Sequence, residues 1–342
     1  MRPREGDLLE NTNRVIFDVK GFLHPPEKII AFPRFVPTEN GDRKRGNLSY
    51  KKIYNIAERY AFLTRHFPHY LIHDQVLGLP LCEVPINDVK HHLEPVHYLR
   101  TLRKKSPNDL SALASRALSM ITLLKTTSNV PWSALGISGS LLAQLAHTDS
   151  DIDPIVSGQK NSLEVYAAMK SLLNDKRNSI SRYDRKELAR LYRFRSKDTK
   201  MSFQDFLEVE EGKVLQGRFL QSDFYIRCIK NWNEMSEQYG DVIYRSVGYA
   251  RIKAVVRDDS DAIFTPCRYL LEQVSFLRGK RLKQISEIVS YRGRFCEQAK
   301  EGEAILAQGK IEKASGRDGC THFRLLLGAQ TSDFMVKRRV AT

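Results

Sequence analysis

The chain has 342 residues, 42% of them hydrophobic and 28% charged, the balance of a folded protein with a sizeable core rather than a disordered one. Its 55 Lys and Arg against 40 Asp and Glu leave a net charge of +15, which draws polyanions, and nucleic acid is the commonest large one. Residues 111–125, the most apolar helix-like stretch, are too few and too interrupted to span a bilayer. Met1 to Asp7 holds no apolar run, so no secretory signal is expected. The five cysteines, Cys82, Cys228, Cys267, Cys296 and Cys320, form no CxxC pair. Neither a zinc ribbon nor a disulfide framework is therefore indicated, and a reducing cytoplasm fits best.

In chain order, strands are expected over 15–20 and 28–36, joined through the turn at His24-Pro25-Pro26, followed by a polar loop and a helix over 51–67. Pro68, Pro80, Pro85 and Pro95 cut the next stretch into short pieces, and a small α+β module over 1–105 results. Asn108 or Asp109 is suited to cap a helix running to about 127, with Leu113, Ala117, Ile121 and Leu124 at helical spacing. A short strand then enters the turn Ser138-Gly139-Ser140, a helix starts near 141, a strand covers 151–156 and a helix covers 162–174. Strands over 213–220 and 223–230 complete a central domain over 106–235. The remaining 236–342 reads as a mixed, barrel-like module with a helix over 267–277 and strands over 285–291, 304–311 and 322–327. The fold class expected is α+β.

The chemistry concentrates in Gly139-Ser140, ten intervening residues, and Asp151-Ile152-Asp153. Residues two apart on a strand face the same way, so both carboxylates lie on one side. Two such anions about 5 Å apart repel by roughly 3 kcal/mol at an effective dielectric near 20. A divalent cation turns that repulsion into a binding site, and a few hard oxygens with positions left open for phosphate and water suit Mg²⁺. A Gly-Ser turn supplies N–H groups and a hydroxyl to phosphate oxygens. Pro154 directly after the second Asp removes a ladder donor there.

The ordered set of strand, Gly139-Ser140, helix, strand bearing Asp151 and Asp153, helix, and a later strand bearing Asp223 resembles the signature of the polymerase-β-like nucleotidyltransferase superfamily. The resemblance covers roughly residues 110–230 and is nearest to archaeal members with extra flanking domains. It implies a short mixed sheet flanked by helices, with Gly139 and Ser140 on the incoming triphosphate and Asp151, Asp153 and Asp223 as catalytic, metal-binding carboxylates. Asp205 and Glu208 are the alternatives to Asp223. Arg218 and Arg227, flanking that strand, are candidates to neutralise phosphates. Mg²⁺, with Mn²⁺ as a substitute, is the implied cofactor.

Residues 176–200 interleave cations with aromatics, as suits a nucleic-acid backbone and stacked bases. Arg185, Lys186, Arg190, Arg193 and Arg195 are the candidate contacts, against the plainer reading of a solvated amphipathic helix with Leu188, Leu191 and Tyr192 inward. Arg278 to Lys283 reads as a charged helix end. His147, Lys20 and His24 are weaker candidates for substrate contact. The function expected is Mg²⁺-dependent transfer of a nucleoside monophosphate from an NTP to a hydroxyl, at an RNA or DNA 3′ end, without a template. Two alternatives are an idle scaffold that binds nucleic acid, and transfer to a protein or small molecule.

Overall fold

In the computed structural model, which describes residues 1–282 and 284–338, the chain is mixed α+β with four sheets among the described residues. It divides into two units, each assembled from three segments. The first comprises residues 1–73, 80–181 and 214–236, and the second 74–79, 182–213 and 237–342. Residues 182–213, read from the sequence as part of a central domain, thus belong to the second unit. Most of 1–105 shares the first unit with the rest of that domain. Among the described residues no helix is long and apolar enough to cross a membrane.

The first unit begins with an eight-stranded sheet. Its strands are β1 (Leu8–Asn11), β2 (Ile16–Val19), β3 (Lys28–Pro37), β4 (Arg43–Arg45), β5 (Leu48–Lys52), β6 (Leu71–Asp74), β7 (Leu79–Pro85) and β8 (Val89–Leu93). The order is β4-β5-β3-β2-β1-β8, with β7 joining another part of β3 and β6 beside β7. Pro33 sits inside β3 opposite Phe17, where the register slips between Ile16 and Phe17; a bulge is one of the few strand positions that tolerate a missing N–H. Helix α1 (Ile56–His66) starts at Asn55, whose side chain accepts from Glu58 N.

After α2 (Pro95–Leu102) comes α3 (Ala112–Ser128), capped by Ser111 rather than by Asn108 or Asp109. Pro107–Asp109 makes a separate 3₁₀ turn, and the Ser111 hydroxyl accepts from Ala114 N. Buried Leu113, Ala117, Ile121 and Leu124 keep the expected spacing. A three-stranded sheet follows in the order β14-β10-β9, where β9 is Leu135–Ile137, β10 is Pro154–Ser157 and β14 is Arg227–Ile229. Strand β9 is antiparallel to β10, and β14 is parallel to it. A single helical turn, α4 (Gly139–Leu142), leaves β9, and α5 (Gln159–Asn174) leaves β10. A small meander of β11 (Ile180–Ser181), β12 (Gln216–Phe219) and β13 (Ser222–Tyr225) forms the third sheet.

The second unit holds α6 (Arg185–Arg195), α7 (Phe203–Glu210) and a sheet of β15 (Val242–Asp258), β16 (Cys267–Gly279), β17 (Glu287–Ser290), β18 (Ala304–Gly316), β19 (Thr321–Leu327) and β20 (Phe334–Lys337). Because β15 pairs with both β16 and β18, the sheet curls back on itself around buried Ile252, Tyr269, Ile288, Ile311 and Leu325. The helix expected over 267–277 is instead β16. Cys267, Tyr269 and Leu271 alternate inward with period two, and pairing to β15 and β17 satisfies the backbone. Arg278 accordingly lies on a strand, not at a helix end, and Lys283 of the same cluster lies outside the described residues.

Candidate functional site

The Asp151 to Asp153 segment is extended, but its ladder is shorter than a strand over 151–156. Regular pairing begins at Pro154, opposite Ile137. As the first residue of β10, Pro154 loses no ladder bond that matters, while Asp153 O accepts from Ser138 N at 2.9 Å. Ahead of it Ile152 makes one parallel bridge to Phe224, with Ile152 N donating to Asp223 O at 2.8 Å and Tyr225 N to Ile152 O at 3.0 Å. Ile152 and Phe224 are both buried. By the pleat, Asp151, Asp153, Asp223 and Tyr225 therefore lie on the opposite face of the two paired segments.

Gly139 brings the other half of the motif to this face. Its φ of +65° is a left-handed conformation, and a Cβ built there would stand 2.7 Å from Asp153 Cγ and collide with Oδ2. Only glycine allows that close approach at that φ. The neighbouring Ser140 is 1% exposed and its hydroxyl has no hydrogen-bond partner. A buried orphan hydroxyl is uncommon and calls for a physical reason. Ser138 is accounted for, since its Oγ donates to Gly6 O at 2.6 Å.

Electrostatics mark Asp153 as the tense member. Burial and then the neighbouring Asp151 carboxylate push its carboxyl up to about 7, against the pull of Lys52, Arg227 and Arg34. Lys52, at the end of β5, is brought down to about 8 by burial and by Arg34, while Asp151 and Asp153 pull the other way. Its ammonium lies 4.9 Å from the Tyr54 ring centre, and the Arg34 guanidinium lies 5.4 Å from the same centre. Lys52 and Arg34 thus join the site without any sequence signal, because the hairpin carrying them reaches it only through tertiary packing.

The other expected residues already have partners within the protein or lie away from the two aspartates. Arg218 and Asp223 are direct cross-strand partners on β12 and β13, and their side chains form an ion pair at 2.7 Å. Arg227 bonds buried Glu5 at 2.5 Å. Burial would lower its pKa, but Glu5 and Asp18 prevail and hold the cation firmly charged. Lys20 pairs with Asp18 at 2.7 Å. His24 bridges Pro3 O and Ile30 N, and burial pulls it down to about 4. His147 reaches Asp42 O at 2.8 Å. Asp205 and Glu208 lie on α7 in the second unit, where Asp205 pairs with Arg338 at 2.5 Å. Among the described residues no three His, Cys, Asp or Glu side chains gather as a metal-holding group.

On α6, the Asp184 capping box with Glu187 fixes the start, and Leu188, Leu191 and Tyr192 face Phe203, Phe206 and Leu207. Arg185, Lys186, Arg190 and Arg193 are exposed, whereas Arg195 is drawn into an ion pair with buried Glu210 at 2.7 Å. Tyr192 packs inward against Phe203 and Phe206, so of the interleaved aromatics it is Phe194, at 50% exposure, that faces outward most.

Comparison with known proteins gives a relative and no family. The chain is 29% identical over 342 residues to an uncharacterized protein of Methanocaldococcus jannaschii, with 98% of each chain covered. No family model matches the chain. No solved structure matches it.

Proposed function

We propose that the chain is a polymerase-β-like nucleotidyltransferase, moving a nucleoside monophosphate from an NTP to the 3′ hydroxyl of RNA or DNA without a template. One observation carries the reading: Gly139 packs against Asp153 so closely that the Gly-Ser turn and the Asp151–Asp153 pair form one site. The β9-α4-β10-α5 succession with a parallel β14 beside β10 supports it, since it presents that site at one end of a mixed sheet.

The donor set fits Mg²⁺, being two adjacent carboxylates and a nearby unpartnered hydroxyl, all hard oxygens. When bound, the ion would neutralise phosphate charge and stabilise the charge that develops during transfer. Ser140 Oγ donates to a phosphate oxygen, which ends the isolation of that buried hydroxyl. Lys52 and Arg34 supply positive charge beside a triphosphate and help hold it in line. Asp223, whose carboxylate accepts from Arg218, takes the proton of the attacking hydroxyl. The new bond joins that oxygen to the α-phosphorus, and pyrophosphate departs with the electrons of the broken bond.

Incubating the protein with each α-labelled NTP, Mg²⁺ and total RNA tests the reading: label enters nucleic acid, and chelation with EDTA stops it. Absence of label from RNA and DNA under every nucleotide would overturn it. Replacing Ser140 by Ala adds a second check. Removing an unsatisfied buried hydroxyl changes stability by no more than about 1 kcal/mol, while the loss of one phosphate donor raises the KM for NTP roughly tenfold. An unchanged KM would remove Ser140 from the site.

A second reading has its own support. The Arg218–Asp223 pair and the absence of a three-acid group among the described residues favour an idle scaffold that binds nucleic acid. In that case RNA binding persists, no label transfers, and Asp151→Asn behaves like the wild type.

A further inference from the structure

The curled sheet of the second unit carries a row of side chains across four strands. Phe334 on β20 is paired with Gln308 on β18, Gln308 with Arg251 on β15, and Arg251 with Arg278 on β16. Directly paired residues share a face, and the flanking Ala250 and Ile252 are buried on the other one. The row therefore lies on the outer face. Arg251 Nε donates to Gln308 Oε1 at 2.9 Å, and its guanidinium lies 5.4 Å from the Phe334 ring centre. Lys253, two residues along β15 on the same face, is exposed, and Tyr249 lies two residues the other way. Exposed Lys280 and Arg281 follow β16, which beyond Leu270 pairs only with β15 among the described residues.

Two guanidinium groups set directly across a strand pair repel, and such pairs destabilise a sheet. Several other cations of this sheet and its surroundings are matched: Lys310 and Arg324 with Glu312, Lys337 with Glu303, and Arg292 with Asp198. Among the described residues Arg251, Lys253, Arg278, Lys280 and Arg281 have no such carboxylate partner. A face that retains unmatched cations beside rings is complementary to a chain of phosphates carrying flat bases. Single strands are bound on sheet faces in this way, with bases on aromatic rings and guanidinium planes and phosphates on Lys and Arg.

We propose that the outer face of β15, β16, β18 and β20 holds a single strand of nucleic acid, with phosphates on Lys253, Arg278 and Lys280 and a base against the Arg251–Phe334 stack. The inference deepens the acceptor part of the function proposed above. Binding is measured without nucleotide or metal, so failure here and failure of the catalytic reading are told apart. Two rival roles for these side chains set the controls. Edge cations protect open strands against pairing with other sheets. Leu277, displaced into a bulge and 49% exposed, would suit an anionic membrane.

The experiment is fluorescence anisotropy of the full chain with a labelled 20-mer of uridine across a salt series, beside flotation with phosphatidylserine vesicles. Lys253→Ser with Arg278→Ser should weaken oligonucleotide binding about tenfold and flatten the log–log salt slope by about 1.4, or 0.7 for each phosphate no longer neutralised. Lys280→Ser with Arg281→Ser, just past the strand, should act in the same direction, and both variants should melt with the wild type. Affinity and slope unchanged in both folded variants would overturn the proposal. So would a loss of vesicle binding with oligonucleotide binding intact.

Discussion

Asp153→Asn should make the protein more stable at pH 8 and at the same time abolish transfer. In the folded chain burial and the Asp151 carboxylate hold the Asp153 carboxyl near 7, against an ordinary value of 3.8. Between those values the folded state binds more protons than the unfolded one, so stability falls as pH rises through the window. Above about pH 7 the full penalty is present. Asparagine removes the charge and keeps the shape. In EDTA we expect the variant to gain about 3 kcal/mol at pH 8, the scale of a close carboxylate pair at an effective dielectric near 20, and little at pH 4. For a unit of this size that is a rise of roughly 9 °C in Tm. On the proposed function, transfer should drop by about 10³-fold or more, since roughly 4 kcal/mol of transition-state stabilisation would be lost with a carboxylate that holds the metal. Thermal melts at both pH values and label incorporation read the two effects separately. A gain in stability with full activity would show that Asp153 is only strained, not catalytic.

The largest loss of stability should come from a residue that no motif singles out. Glu5 is 1% exposed; its Oε2 accepts from Gly21 N at 2.8 Å and its Oε1 from Arg227 at 2.5 Å. Glu5→Ala strands a buried guanidinium and an amide together, and breaking such a pair from one side costs about 3–5 kcal/mol. Glu5→Gln keeps an acceptor for the amide and should cost about half as much. Urea midpoints at constant slope measure both. If Glu5→Ala were neutral, Asp18, which also lies in the field of Arg227, would be carrying the compensation.

The pleat explains why much of the candidate site is legible in sequence. Strand periodicity alone puts Asp151 and Asp153 on one side with Ile152 on the other, and burial of Ile152 against Phe224 is how the fold realises it. Gly139 reads from sequence only as part of a phosphate-holding turn; its left-handed φ and its close approach to the Asp153 carboxylate appear only in the fold. The same alternation is masked at 267–277, where Leu270, Leu271 and Val274 imitate helical spacing. Pairing on both sides of β16 makes that segment a strand, and no local window contains those partners.

Long-range charge lies further from reach. The diversion of Asp223 to Arg218 follows from a hairpin register, and that of Arg227 to Glu5 joins residues 222 apart in the chain. Lys52 and Arg34 enter the field of the two aspartates through a sheet built from the first ninety residues. By itself the amino-acid order determined which side chains can share a face, because that depends on backbone geometry over two or three residues. Which charges meet was decided only by tertiary structure, since Coulomb interactions in a poorly solvated interior depend on distances that chain folding alone sets.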